Sequence, residues 1–418
     1  MSISSQPLEA IKQALNYLPK KELAEILDVT PRTLSNYITG KTTPNKTVPT
    51  VLKSHLEQGG SMVDSFKTID LFAGIGGIRK GFQKHGGRCV FTSEWNKFSV
   101  QTYKANFPDE HDINGDITAV DAASIPDHDV LLAGFPCQPF SLAGVVKKAS
   151  LGRKHGFEDE TQGTLFFDVA RILKQKRPKA FLLENVKNLV SHDKGHTFQV
   201  ILKTLRELGY KTVEHKVISS APWVPQKRER IFIAGFLEKT PFNFNQVVVP
   251  DTSPTLASIL HEHNDSEPEE GMTEIYRGKI RALEKYTLSD KLWNYLENYG
   301  KAHKAKGNGF GCSVVGPDDV ARTLSARYYK DGSEILIRQK GKNPRMLTPR
   351  ECSRLMGYDR PRHTPLTIPV SNNQAYRQFG NGVCVPVIEA IAAAMTPHIM
   401  GTFDSTKHTS ESDFKLTE

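Results

Sequence analysis

The chain has 418 residues, 38% hydrophobic and 24% charged; the length predicts two or three domains, and the composition is that of an ordinary globular protein. Its formal charge of +9 favours a polyanionic partner such as nucleic acid. No apolar run approaches the ~20 residues that a bilayer span requires, and Met1-Ser2-Ile3-Ser4 lacks the parts of a signal peptide, so a cytoplasmic protein with no membrane partner is expected.

Residues 1 to about 60 have a helical period and end at Gln58-Gly59-Gly60-Ser61, a linker by composition. Within them, residues 20–27 form a short amphipathic helix with Leu23, Ala24 and Leu27 inward. Asp28-Val29 makes a turn, and Thr30-Pro31 reads as the N-cap and first position of a second helix. That helix, 31–39, buries Leu34 and Ile38 and stops at Gly40. The spacing is that of a helix-turn-helix, which would turn Arg32, Thr33, Ser35 and Asn36 to a DNA major groove. A helical dimerisation hairpin is the other reading.

From Phe66 onward, short apolar runs at 68–72, 88–93, 130–133, 180–183, 213–218 and 231–236 alternate with helical stretches such as 165–174 and 198–208. This alternation predicts an α/β fold with a parallel sheet. From about 237 to 345 the texture is irregular, and the acidic 265–270 and lysine-rich 301–306 read as surface. Helical periodicity returns at 349–356 and 387–395, and 402–418 reads as a disordered polar tail.

Asp70-Leu71-Phe72-Ala73-Gly74-Ile75-Gly76-Gly77 joins the first strand to a helix, and its glycines allow the backbone to turn tightly against a ligand. Alone it is equally a plain tight turn. Glu94 lies 24 positions after Asp70, where Rossmann-like folds hold ribose hydroxyls, and Trp95 could cover an adenine face. Gly115-Asp116-Ile117 places another carboxylate at a third strand end. The third glycine of Gly-x-Gly-x-x-Gly and any Gly-Lys-Ser/Thr loop are missing, which favours an adenosine ligand without pyrophosphate, as S-adenosylmethionine is.

The five cysteines are far apart and include no Cys-x-x-Cys pair, so no zinc ribbon, other metal site or disulfide framework is expected, and the compartment is reducing. A lone cysteine is usually buried and inert. Cys137 differs because Pro136 and Pro139 hold the backbone around it in Gly134-Phe135-Pro136-Cys137-Gln138-Pro139-Phe140-Ser141, just after the fourth strand, where open sheets place their ligands.

In this order the motifs resemble those of bacterial DNA (cytosine-5)-methyltransferases. The resemblance extends through Gly163-Thr164-Leu165-Phe166, Glu184-Asn185-Val186, Gln226-Lys227-Arg228-Glu229-Arg230, Arg350-Glu351 and Gln378-Phe379-Gly380-Asn381, and covers about residues 66–396. It implies a Rossmann-like, S-adenosylmethionine-dependent methyltransferase domain over 66–236, closed by 372–400. A smaller, irregular target-recognition domain would occupy 237–371, after an N-terminal helix-turn-helix domain at 1–60. Cofactor contacts are implied for Phe72, Ala73, Gly74, Gly76, Gly77, Glu94, Trp95, Asp116, Ile117, Pro136, Leu165 and Asn381. Cys137 would attack carbon-6 of cytosine; Glu184 would bond the ring nitrogen and amine; Arg230 and Arg228 would bind the base carbonyl and orient Glu184. Gln138 and Ser141 would touch DNA, and the glycine- and lysine-bearing loop 142–163 would close over a flipped base.

The segment 321–332, with Arg322, Thr323 and Arg327, resembles the recognition segment of Dcm-like enzymes that methylate the inner cytosine of CCWGG or CCNGG in duplex DNA. The N-terminal arrangement resembles that of methyltransferases that repress their own transcription, which implies the promoter region as a second partner. Two departures stand out: Gly382 where a serine is usual, and Ala221-Pro222-Trp223 where a glycine turn is common. Two other readings stay open, a regulator with a vestigial methyltransferase fold and a tRNA cytosine methyltransferase. The intact Cys137, Glu184 and Arg230 stand against the first. The long recognition region and the N-terminal segment disfavour the second.

Overall fold

The computed structural model describes residues 6–15, 20–109, 111–136, 165–265, 267–307, 311–359 and 365–402, apart from 58–64. The linker at 58–61, the loop 142–163 and all but the first residue of the polar tail therefore lie outside the described residues.

At the N-terminus, helices α1 (Pro7–Leu15), α2 (Lys20–Ile26), α3 (Pro31–Ile38) and α4 (Val48–Glu57) enclose a core that includes Ile11, Leu23, Leu34 and Leu52. Asp28 adopts φ 51° at the reversal between α2 and α3. Thr30 caps α3, its hydroxyl accepting from the Thr33 amide at 3.1 Å.

Strands β1 (Phe66–Leu71), β2 (Gly87–Ser93), β3 (Ile113–Asn114), β4 (Val130–Gly134), β5 (Ala180–Val186), β6 (Thr212–Ser219) and β7 (Glu229–Phe236) form one sheet in the order β3-β2-β1-β4-β5-β7-β6. The expected α/β class is observed, but the sheet is not wholly parallel: β7 runs antiparallel between β5 and β6. The β6–β7 connection, 220–228, is shorter than the dozen or so residues a parallel crossover requires. Helices α5 (Gly77–Gln83), α6 (Lys97–Asn106), α7 (Leu165–Lys176) and α8 (His196–Glu207) lie in the β1–β2, β2–β3, β4–β5 and β5–β6 connections, and two 3-10 turns lie between β3 and β4.

The strands alternate between two cores, as the period of two demands. Leu131 and Ala133 of β4 join Phe181, Leu183 and the apolar sides of α7 and α8. Val130 and Leu132 join Phe82 of α5 and residues of the C-terminal helix on the opposite face.

The stretch read as irregular contains α9 (His261–Asn264), a hairpin of β8 (Thr273–Tyr276) and β9 (Lys279–Ala282), and the 16-residue α10 (Asp290–Ala305). The short strands β10 (Val314–Val315), β11 (Leu336–Ile337) and β12 (Arg345–Met346) follow, then α11 (Pro349–Leu355), α12 (Asn372–Asn381) and α13 (Val385–Ile399). The acidic stretch is only partly surface. Asp265 and Glu269 pair with Arg354 at 2.5 Å and Arg350 at 2.8 Å, strapping this segment to α11. Glu351 is fully buried between the Thr348 amide and Arg345, at 2.9 and 2.8 Å.

Against the expectation of no such run, residues Asn372–Ile399 are long and apolar enough to cross a bilayer by composition. They are two helices, broken where Gly382 turns extended, and Ile388, Ile391 and Met395 lie in the core beside Phe82.

Candidate active site

Strand order reverses between β1 and β4, and the crevice beyond the carboxyl ends of such a pair is where open α/β sheets bind ligands. The glycine loop leaves β1 there. Gly134 ends β4 three positions before Cys137. Cys137, Gln138 and Ser141 themselves lie outside the described residues.

On the β1 side, Phe72 leaves the strand at φ 53°, and Gly74 and Gly76 take φ 57° and 79°. The Gly74 amide donates to Glu94 Oε2 at 2.8 Å and the Asn96 amide to Oε1 at 2.7 Å. The carboxylate, which also feels the Trp95 amide, keeps acceptor capacity for a hydroxyl. Burial pushes the Glu94 pKa upward against these amide bonds. A Cβ on Gly76 would stand 2.2 Å from the Phe107 ring, and one on Gly77 2.4 Å from the Tyr358 hydroxyl, so both positions require glycine for packing. Ala73 is buried nearby.

Trp95 is 82% exposed, an uncovered indole beside a carboxylate at a strand end. These features fit an adenosine-bearing cofactor. Pro136 and Asn381 are also exposed, at the ends of the β4 extension and of α12. Asp116 is exposed and accepts from the Thr118 amide and hydroxyl at 3.0 and 2.8 Å, which holds its carboxyl below the usual range. The Ile117 side chain is buried in the sheet core, and Leu165 packs against the same core at the start of α7, because both are apolar residues at inward positions of their helical turns.

A layer beneath this loop had no signal in the sequence. Asp70 is 1% exposed, and its burial raises its pKa to about 8 although Arg79 and Tyr103 oppose the shift. Arg79 donates to the Tyr103 hydroxyl at 3.0 Å and forks onto Asp109.

On the β4 side, Glu184 lies opposite Gly134 in β4 and Phe232 in β7; β5 extends past the expected end at 183, so Glu184 stands within the strand. Arg230 Nε is 3.1 Å from Glu184 Oε1, with the two side chains 16% and 10% exposed. A Cβ on Gly134 would lie 3.5 Å from Glu184 Oε2, so the carboxylate hangs over the end of β4. Burial raises the Glu184 pKa, with Arg230 and then Arg228 opposing. Asn185, given no task by the sequence reading, donates to the Phe135 carbonyl at 2.8 Å and ties down the backbone leading to Cys137.

Arg228, expected beside Arg230 at the base, does otherwise. Its guanidinium is 2% exposed and donates to the carbonyls of Leu324, Gly380 and Gly382 at 2.8, 2.9 and 2.6 Å. Burial lowers its pKa to about 10. The alternation of β7 and its approach turns it inward, so it clamps the 321–332 segment to the end of α12. At the departure Gly382, a Cβ would sit 3.0 Å from the Tyr358 hydroxyl.

Within the 321–332 segment, Arg322 and Arg327 are exposed. Thr323 is half-buried and its hydroxyl donates to the Lys227 carbonyl at 2.7 Å. The end of the segment is a turn: Lys330 N donates to Arg327 O at 2.9 Å and Gly332 N to Tyr328 O at 3.0 Å. Tyr328 forces it, since this ring is fully buried with its hydroxyl on Ile335 O at 2.6 Å and under Leu347 N at 2.8 Å. On α3, Arg32 is exposed, and Thr33, Ser35 and Asn36 are half-exposed. The Ser35 hydroxyl donates to Pro31 O at 2.7 Å and accepts from Lys20, which links α3 to α2.

Residues 66–396 match the family described as C-5 cytosine-specific DNA methylase, and residues 8–48 match a helix-turn-helix family. The chain is 48% identical over 387 residues to the DNA-cytosine methyltransferase of Escherichia coli strain K12, covering 80% of this chain and 78% of that one. It is 45% identical over 391 residues to a type II methyltransferase of Lactococcus lactis subsp. cremoris, covering 90% and 92%. Among solved structures, the S. pombe Dnmt2 methyltransferase shares the fold with a TM-score of 0.59 at 17% identity, over 80% of this chain and 99% of that one. The chain belongs to the C-5 cytosine-specific DNA methylase family and is a DNA-cytosine methyltransferase with a helix-turn-helix segment at its N-terminus.

Proposed function

We propose that the chain methylates carbon-5 of a flipped cytosine in a short duplex site, the inner cytosine of CCWGG or CCNGG, in the cytoplasm, as part of a restriction-modification or Dcm-like system. The observation that carries this reading is the buried Glu184–Arg230 pair at 3.1 Å, set over the strand end that leads to Cys137 at the switch point of the sheet. S-adenosylmethionine supplies the methyl group when bound, with Glu94 on its ribose and Trp95 on its adenine. The electron pair of the Cys137 thiolate forms the bond to carbon-6 of the base, and the displaced 5,6 π pair moves toward carbon-5 and nitrogen-3. Glu184 in its acid form gives a proton to nitrogen-3, and Arg230 holds the carbonyl. After methylation, a base takes the carbon-5 proton, the thiolate leaves carbon-6, and the nitrogen-3 proton returns to Glu184, which restores the ring. Bisulfite sequencing of a plasmid treated with the purified protein tests the reading: one protected cytosine within a G-containing consensus is expected, and no protection overturns it.

The working units proposed are 1–60, which binds DNA of its own promoter region; 66–236 with 372–400, which performs catalysis; and 237–371, which reads the site. A chain starting at Phe66 is expected to keep its methyltransferase activity within a few-fold and to lose promoter binding in a gel-shift assay. Loss of both with the fold intact contradicts the division. Arg322 and Arg327 are exposed and suited to the paired acceptors of guanine, each such contact being worth ~1–3 kcal/mol of discrimination. Arg327→Ala should therefore broaden the bisulfite consensus more than it lowers the maximum rate. An unchanged consensus in both arginine variants assigns the reading to another part of the region.

A further inference from the structure

Helix α10 carries an outer stripe that the catalytic reading leaves without a task. Lys291, Tyr295, Tyr299 and His303 follow one another at intervals of four, so they lie along one side of the helix. Tyr295 is 60% exposed and Tyr299 42%; their rings stack with centroids 6.0 Å apart, and Tyr299 lies 4.3 Å from the His303 ring. Lys301, Lys304 and Lys306 are exposed at the C-terminal end. Among the described residues, none of these lysines, nor Lys291, has an ion-pair partner.

The inner side is anchored. Leu292, Trp293 and Leu296 pack with Leu288, Leu336 and Met346. Cys312, packed in the same cluster, lies within the field of both Glu297 of the helix and Arg322 of the 321–332 segment. Cys312 thus stands between the helix and the segment that carries an arginine assigned to reading DNA.

We infer that helix α10 grips the phosphate backbone of the duplex beside the recognised site, with the tyrosine stripe on one flank and Lys301 and Lys304 on the other. This rests on the reading of the chain as an enzyme that acts on duplex DNA. Lysine and tyrosine are among the side chains that contact phosphates without reading sequence. At 1.5 Å per residue the stretch from Lys291 to Lys306 spans about 22 Å, the axial length of about six base pairs. A second copy of the chain is a poor occupant, because a two-fold contact would bring the same lysines face to face. Aromatic rings pinned against one another also lose little freedom when a backbone is laid across them.

The test compares the full chain with a K301A/K304A/K306A variant, both shown to have the same thermal midpoint. Binding is measured on a duplex that just covers the consensus found by bisulfite sequencing and on one extended by about a helical turn on each side, over a range of salt. Each lost phosphate contact lowers the slope of log K against log salt by about 0.9, so the variant's slope should fall by about 2–3. It should also lose the preference of the wild type for the longer duplex, while keeping the consensus and the turnover at saturating DNA. A Y295A/Y299A variant should bind the longer duplex at least several-fold more weakly with a smaller change of slope. An unchanged slope and length preference in the lysine variant overturns the inference, as does a change confined to self-association in sedimentation. Wild-type methylation separates the two failures: methylation with an unchanged slope removes the helix's role alone, whereas no methylation of duplex DNA removes the reading beneath it.

Discussion

Cys137→Ala is expected to abolish methyl transfer while leaving binding of S-adenosylmethionine and of duplex DNA measurable. Carbon-5 of cytosine is a weak nucleophile until a thiolate has added at carbon-6, and Cys137 is the thiol that follows the end of β4. A free thiol of pKa ~8.5 is only a few per cent ionised at neutral pH, so the site has to favour the thiolate. The wild type should form a complex stable to denaturant with a duplex carrying 5-fluorocytosine at the target, because fluorine cannot leave as the proton does. Turnover by the alanine variant, or an equal trap with it, would show that another group is the nucleophile.

Glu184→Gln is expected to lower kcat by about 10²–10⁴-fold, the range for losing a positioned general acid, with the KM for DNA within a few-fold. The wild-type rate should also carry an alkaline limb. Burial raises the Glu184 pKa above the ordinary carboxylate value, while Arg230 opposes that shift. The acid form therefore persists above the usual carboxylate range and disappears as pH rises through the raised value. A rate that depends on the acid form falls with it, and glutamine, which cannot give up a proton, should flatten that limb. An unchanged kcat and pH profile would assign Glu184 to packing.

The catalytic sheet was legible because its strands are short, apolar and separated by helical periods; Ala180–Val186 and Glu229–Phe236 deviate from the expected runs only at their ends. The direction of β7 was not, because periodicity does not encode strand polarity. Glu94 and Trp95 were singled out by their place after an apolar run, and Glu184 and Arg230 by the motifs that carry the family resemblance. The burial of Arg228 was not legible because its neighbours in sequence are charged and exposed, whereas its partners are the carbonyls of Leu324, Gly380 and Gly382, about a hundred residues or more away. Separation in sequence also hid the Arg79–Asp109 fork, 30 residues apart, and the straps from Arg350 and Arg354 to the acidic segment, 81 and 89 residues apart. Helix α10 escaped notice because its buried positions are few, with Leu296 the buried residue, although Ser289 in front of it caps the Leu292 amide at 3.3 Å.

The central claim is that duplex DNA receives a methyl group on cytosine through Cys137. Tritiated S-adenosylmethionine, offered with equimolar duplex DNA and tRNA to the wild type and to Cys137→Ala, tests it most directly. Label is expected in the duplex, recovered as 5-methylcytosine after digestion to nucleosides, with background counts in tRNA and in every reaction of the variant. Label in tRNA in preference to the duplex, or label in the duplex with the variant, would contradict it.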